Sequence, residues 1–183
     1  MKRKAFLLLI MLFIIGIPAI SKERIENARN VIIKNETLYI KGESTPYTGE
    51  IYKNYNNGSL EFFYKFVDGK PHGRAIENFF HGGREVEANY VHGKMHGTYV
   101  SKYSDGQIYT KNNYIHGEKE GPYISYHNNG KIMKKGRYKN NVKDGKWVEY
   151  FNNGRKKMEY TYKNGKLHGR VKEYDTKGRL VRK

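Results

Sequence analysis

Residues 145–168 read GKWVEYFNNGRKKMEYTYKNGKLH, and this segment is one copy of a repeat. Its leading glycine belongs to a series with a constant spacing of 24: Gly49, Gly73, Gly97, Gly121, Gly145 and Gly169. A second series follows each leading glycine by nine residues: Gly58, Gly82, Gly106, Gly130, Gly154 and Gly178. A third follows by twenty and contains one asparagine: Gly69, Gly93, Gly117, Asn141 and Gly165. Such a fixed period predicts an array of equal supersecondary units.

Each unit is predicted to contain two strands and two tight turns. Apolar residues alternate between the glycines, as at Leu60, Phe62 and Tyr64, which is typical of strands. Four members of the second series follow Asn or Asp, and these dipeptides favour two-residue type I′ hairpin turns. Asn141 fits a turn as well, because Asn tolerates positive φ. We therefore expect an all-β fold, an elongated single-layer antiparallel β-meander built of 24-residue hairpin repeats.

The composition favours a thin sheet over a thick globular core. Only 37% of the 183 residues are hydrophobic, while 17 Tyr, 8 Phe and 1 Trp argue against a disordered coil. Cysteine is absent, which excludes disulfides, thiolate metal sites and cysteine nucleophiles. The 35 Lys and Arg residues exceed the 18 Asp and Glu residues and give a formal net charge of +17, so the sheet surface is predicted to be basic.

Aromatic residues recur with the same period and form columns across the predicted sheet. One column holds Phe66, Tyr90, Tyr114, Tyr138 and Tyr162, and a second holds Tyr99, Tyr123 and Trp147. Equivalent residues of successive units lie about 10 Å apart, so the rings of neighbouring columns can interleave and bury apolar surface without a second layer. Tyr99, Tyr123 and Trp147 are the candidate partner-binding residues. The alternative, strongest for Trp147, is an internal position within the stacked rings.

The amino terminus predicts export. Basic residues 2–4 precede an apolar run that Pro18 ends, and Ala19 and Ser21 offer the small side chains that signal peptidase reads. Residues 1–21 are therefore predicted to be a signal peptide, which sends the mature chain to the periplasm, the cell surface or the medium. The alternative is an uncleaved anchor, because the uncharged residues 5–21 approach the shortest membrane span.

The remaining chain divides into an N-terminal segment and the array. Residues 22–46 form the segment, in which a starter hairpin is expected between Val31 and Ile40, and residues 47–183 form the repeat array.

Four motifs carry a family resemblance: Pro46-Tyr-Thr-Gly49, Tyr90-Val-His-Gly-Lys-Met-His-Gly97, Gly145-Lys-Trp-Val-Glu-Tyr-Phe-Asn-Asn-Gly154 and Tyr162-Lys-Asn-Gly-Lys-Leu-His-Gly169. They resemble the MORN repeat, and more closely its second type, a bacterial variant found in exported proteins and in some proteins named as antitoxins. The resemblance covers residues 47–183. It implies an elongated antiparallel β-meander used for binding, with no activity shared across the family. Glu120 and Asp144 depart from the pattern, since other units carry His at that position.

The motifs predict no nucleotide, metal or catalytic site. Gly-Lys pairs such as Gly93-Lys94 lack a following Ser or Thr and lie in predicted turns rather than before a helix. His92 and His96 are four residues apart, but a ligand pair with this spacing requires a helix. Every histidine obeys the repeat, whereas catalytic residues normally interrupt one. We therefore predict that the protein is not an enzyme and uses no cofactor.

The predicted function is that of an exported, non-catalytic repeat scaffold that binds a protein or a cell-envelope component as a monomer. One alternative is an antitoxin-like or immunity protein that neutralises a single partner, as naming within the resembling family suggests. Another is binding of anionic lipid or polysaccharide through turn lysines and stacked tyrosines. A sheet with two exposed faces also needs charged residues for solubility, and this need alone would explain the turn lysines. The identity of the partner is left open.

Overall fold

The computed structural model describes residues 25–27, 30–78 and 85–182, with the backbone alone for 25–27. The predicted signal peptide, residues 1–21, lies outside these ranges. Within them the chain forms β-strands and no helix long and apolar enough to cross a membrane. In chain order the strands are β1 (Ile25–Asn27), β2 (Val31–Lys34), β3 (Thr37–Ile40), β4 (Gly49–Asn54), β5 (Leu60–Val67), β6 (Lys70–Glu77), β7 (Val86–Val91), β8 (Lys94–Met95), β9 (Gly97–Lys102), β10 (Ile108–Ile115), β11 (Glu118–Lys119), β12 (Gly121–Tyr126), β13 (Ile132–Lys139), β14 (Val142–Tyr150), β15 (Lys156–Lys163), β16 (Lys166–Tyr174) and β17 (Leu180–Arg182).

One open sheet contains fifteen of these strands. From β4 to β17 each strand pairs with its neighbours in sequence, always antiparallel, and the short strands β8 and β11 extend the pairing of β7 and β10. The strand β1 adds to β4 in parallel, with Ile25 opposite Glu50. Because neighbouring strands lie about 4.8 Å apart, this path is far longer than any strand. The prediction of an all-β, elongated antiparallel meander is confirmed.

The prediction of type I′ turns at the second glycine series is wrong. Gly58 has a φ of 84°, but Asn57 before it does not share the positive φ that a type I′ turn requires. The Gly58 N–H donates to the Tyr55 carbonyl at 2.9 Å, and the Tyr55 N–H donates to the Ser59 carbonyl at 2.8 Å. This is a type I turn closed by a glycine bulge, the usual three-residue hairpin loop.

The type I′ turns lie instead at the third series. Asp68 and Gly69 have φ values of 49° and 70°, and Asn140 and Asn141 have values of 47° and 65°. Asn or Asp precedes the second-series glycine for a different reason, since its side chain accepts a backbone hydrogen bond within the loop. The Ser59 N–H, for example, donates to Asn57 Oδ1 at 3.0 Å.

The leading glycines Gly73, Gly145 and Gly169 lie at β-bulges. Tyr64 pairs with Ala75, and Phe66 pairs with Pro71. Between these two pairs β6 therefore contains two more residues than β5. Gly73 lies in the interval with a φ of 80°, and the bulge bends the strand there. Because the same irregularity recurs from unit to unit, each unit meets the next in the same register.

The hairpin expected between residues 31 and 40 is present and packs against the N-terminal end of the sheet. Strands β2 and β3 form a separate two-stranded sheet. Leu38 and Ile40 of this hairpin pack with Tyr47, Ile51 and Phe66 in a buried cluster. The Leu38 N–H also donates to the Gly69 carbonyl at 2.9 Å, which ties the hairpin to the first type I′ turn.

Substitution of Gly154 tests the bulge loops. The φ of this residue is 86°, and an added Cβ would meet only the end of Lys131, at 3.5 Å. The cost of a side chain is therefore mainly a backbone cost. We expect Gly154→Asn to lower the free energy of unfolding by about 0.5–1 kcal/mol and Gly154→Val by about 2 kcal/mol, because the β-branched residue resists positive φ. Urea unfolding measures both, and equal midpoints for the two variants would contradict the loop geometry.

Candidate binding surfaces

The alternation of side chains along the strands gives the sheet two different faces. The first, here the aromatic face, carries the column Phe66, Tyr90, Tyr114, Tyr138 and Tyr162 and the column Tyr99, Tyr123 and Trp147. The opposite surface, here the basic face, carries Ile124, Lys135, Arg137, Lys146, Val148 and Glu159 on β12 to β15. Each candidate residue from the sequence therefore lies on the aromatic face.

Trp147 is an internal member of the aromatic face rather than an exposed one. Its relative exposure is 0%, and its ring centroid lies 5.4 Å from Tyr123 and 5.1 Å from Tyr138. The indole covers Gly136 so closely that a Cβ added there would lie 2.2 Å from Trp147 Cδ2. The Lys143 ammonium lies 4.8 Å from the ring centroid, within the range of a cation–π contact. In this position the Trp147 ring is not available to a partner.

Tyr99 and Tyr123 remain half-buried. Each packs against the other aromatic column: Tyr99 lies 5.8 Å from Tyr114, and Tyr123 lies 5.7 Å from Tyr138. Of the three candidate residues, the structure brings Tyr123 and Trp147 into contact, while Tyr99 lies farther along the sheet in the same column. Their regular spacing thus serves ring-to-ring packing first.

A third column, which sequence reasoning missed, completes the aromatic face. Its members are Tyr64, Ala88, Asn112, Gly136 and Tyr160, again 24 residues apart. They lie directly across from the Tyr99 column, with Tyr123 opposite Gly136 and Trp147 opposite Tyr160. Only two of the five are aromatic, so composition alone did not reveal the column. The constant spacing of 24 residues was the feature of the sequence that could have revealed this column.

A groove of about 550 Å³ lies mainly on the basic face, over β12 to β15. Pro122, Ile124 and Val148 give it apolar surface. The cationic side chains that line it are Lys135, Arg137, Lys146 and Lys156. The combination of apolar surface with cations fits a partner that is both anionic and partly apolar.

One buried carboxylate organises part of this groove. Glu159 Oε2 lies 2.5 Å from Lys146 Nζ, and its Oε1 lies 2.6 Å from Lys156 Nζ. The Tyr174 hydroxyl donates to the same carboxylate at 3.1 Å. The hydrogen bonds from Lys146 and Lys156 lower the pKa of Glu159 to about 2. The ion pairs hold the two lysines in place, and one negative charge cannot balance both.

The histidines pack in pairs that the sequence did not predict. The His72 ring lies 5.2 Å from His92, and the His96 ring lies 5.3 Å from His116. In each pair, the first histidine precedes a leading glycine and the second lies in the next type I′ turn. In the part of the chain that the structure describes, no group of three or more His, Asp or Glu side chains is arranged to hold a metal ion.

Comparison with known families identifies the repeat. Three consecutive segments match the MORN repeat variant: residues 95–116, 119–140 and 143–164. They correspond to the three units from β8 to β15, which contain Tyr99, Tyr123 and Trp147. The resemblance inferred from the sequence is confirmed for these three units, which are repeats of the MORN type. No curated protein matches the chain. The likeness to proteins named as antitoxins stays a prediction.

The Glu159 cluster generates a pH prediction. The folded-state pKa of Glu159 is about 2 against an ordinary value of 4.5, so the cluster stabilises the fold above pH 4.5 and its contribution is lost as the pH falls toward 2. We expect Glu159→Gln to remove about 1 kcal/mol of this pH dependence, after allowance for screening of the exposed lysines.

Urea unfolding at pH 7 and pH 3 measures the effect in the wild type and in Glu159→Gln. Glu87 has a similarly lowered pKa of about 2, because Lys102 and Arg74 hydrogen-bond to it, and it remains in both proteins as an internal reference. The same loss of stability on acidification in both proteins would contradict the role of Glu159.

Proposed function

We propose that the protein is an exported, non-catalytic binding scaffold that holds an anionic partner, a protein or a cell-envelope component, in the groove of its basic face. The proposal rests on the local excess of cations there. Lys135, Arg137, Lys146 and Lys156 line the groove, and Glu159 is the carboxylate that pairs with two of them. Such an excess beside apolar surface attracts anions and retains partly apolar ones.

Arg137 is the strongest single contact point in the groove. Its side chain is exposed, and within the described ranges it makes no ion pair. A guanidinium presents a planar fork of donors that binds carboxylate or phosphate through two hydrogen bonds. Lys135 lies 5.5 Å from the Tyr150 ring centroid, which keeps its ammonium at the groove.

Among the residues that the structure describes, the other half of the basic face lacks this excess. Around β6 to β9, Arg74 pairs with Glu87 at 2.8 Å, and Lys102 pairs with Glu85 and Glu87 at 2.5 Å each. Cations there are matched by neighbouring carboxylates. Of these two parts of the basic face, the groove is the one with an excess of cations beside apolar surface.

Export rests on the sequence of residues 1–21, whose basic start, apolar run and small residues are typical of a signal peptide. A chain delivered outside the cytosol meets anionic envelope polymers and lipids, as well as envelope proteins. The MORN repeat variant agrees with a binding role, because the repeat forms a non-catalytic scaffold. An immunity protein with a single partner would use the same groove, and it stays the alternative.

The charge of the groove can be tested with a matched pair of variants. Arg137→Glu reverses a charge that lines the groove, whereas Arg170→Glu reverses an exposed charge on the same face that does not line it. We expect Arg137→Glu to weaken binding to a bacterial envelope fraction about tenfold and Arg170→Glu to change it little. Co-sedimentation measures the bound fraction, and melting curves check that both variants fold.

Two further arms of this experiment identify the partner's chemistry. Wild-type binding should fall between low and physiological salt, because screening weakens contacts between exposed charges. Vesicles containing phosphatidylglycerol separate lipid binding from binding to detergent-released proteins. Binding that is independent of salt, or reduced equally by both charge reversals, would refute the groove as the contact surface.

A further inference from the structure

A second cavity lies on the aromatic face, where the stacked rings are interrupted. Its volume is about 220 Å³, and Ala75 and Ala88 line it from opposite positions on β6 and β7. Both alanines are buried, at 4% and 5% relative exposure. Ala75 occupies the repeat position that later units fill with Tyr99, Tyr123 and Trp147. The cavity is therefore the space of a missing ring.

Three tyrosines surround this space. Tyr64, Tyr90 and Tyr99 line the cavity from β5, β7 and β9, and the rings of Tyr64 and Tyr90 lie 5.9 Å apart. Burial raises the pKa of Tyr64 and of Tyr90, so both phenols are neutral at physiological pH. Neutral aromatic rings attract cations through the negative charge density of their faces.

A single carboxylate completes the cavity. Glu77 lines it and accepts a hydrogen bond from the Tyr64 hydroxyl. The equivalent residue three units later, Glu149, accepts from Tyr160 in a similar way but is also paired with Lys134 at 2.7 Å. Among the described residues no Lys or Arg pairs with Glu77. The carboxylate of Glu77 lies in the wall of the tyrosine-lined space.

We infer that this cavity, here the tyrosine cage, binds the alkylated ammonium group of a small ligand or of a lipid headgroup. A compact primary ammonium is strongly hydrated, whereas methyl groups on nitrogen suit a lining of alanine and aromatic rings. The volume is below the 300–1,000 Å³ typical of drug-sized ligands, so it takes a group of headgroup size. The site lies on the opposite face from the basic groove and selects the opposite charge.

Titration of the full chain with tetramethylammonium and choline chloride tests the cage. Tyrosine resonances and saturation transfer in NMR report binding, with sodium chloride at equal ionic strength and the neutral choline isostere 3,3-dimethylbutanol as controls. We expect both ammonium probes to bind and the isostere to bind about tenfold more weakly. Equal binding of the isostere, or no binding of either ammonium probe, would overturn the proposal.

Two substitutions locate the binding site. Glu77→Gln keeps the shape of the cage and should weaken choline binding about tenfold, while Glu149→Gln, at the equivalent position, should leave it unchanged. Ala75→Tyr inserts the residue that the next unit carries at Tyr99 and should abolish binding while the protein keeps its β-sheet circular dichroism. If Glu77→Gln binds choline as the wild type does, or folded Ala75→Tyr still binds it, the assignment is wrong.

The source of the ligand and the independence of the two sites are tested with the same proteins. Vesicles of phosphatidylcholine that bind in a Glu77-dependent way assign the cage to a lipid headgroup, and binding of free choline alone assigns it to a small ligand. Arg137→Glu should bind choline as the wild type does. The proposal for the basic groove and the proposal for the tyrosine cage can therefore be refuted independently of each other.

Discussion

A sheet with one layer has no opposing layer to cover its apolar side chains, so these side chains must cover one another. That requires rings from different strands to meet at the same level of the sheet, and hence an identical register in every unit. Residues with positive φ supply the register, because they set the bulge and both turns at fixed positions. Trp147 shows the result: it is fully buried between tyrosines of neighbouring strands and lies on the bare backbone of Gly136.

Much of this architecture follows from the glycine period, but part of it does not. The meander and the ring columns were predictable because spacing determines which residues share a face. The turn types were not, because Asn-Gly and Asp-Gly fit both a type I′ turn and a type I turn with a glycine bulge. Asn57 belongs to the second kind, and the hydrogen bond its side chain accepts from Ser59 becomes visible only in three dimensions. The basic groove was also missed, since Arg137 and Lys156 come from different strands and gain meaning only beside Ile124 and Val148.

The two faces carry different side chains, and we propose that one serves mainly stability and the other binding. Ring packing occupies the aromatic face, which leaves Trp147 buried and Tyr99 and Tyr123 only half exposed. We propose binding at two places. One is the excess of cations on the basic face, and the other is at Ala75 and Ala88, where two small residues interrupt the rings. Ala75 departs from the ring column of the later units, and the contact of Tyr99 and Tyr123 with a partner stays a prediction.

The most direct test of this account is the stability and fluorescence of Gly136→Ala. Trp147 is the single tryptophan of the chain, so its emission reports on this position alone. The added methyl group would lie 2.2 Å from the indole and must displace it, which overpacking costs place at about 1–3 kcal/mol. We expect a correspondingly lower unfolding midpoint and a red-shifted emission, because the ring becomes exposed. An unchanged midpoint with unchanged emission would show that backbone pairing alone holds the sheet and would contradict the central role of ring packing.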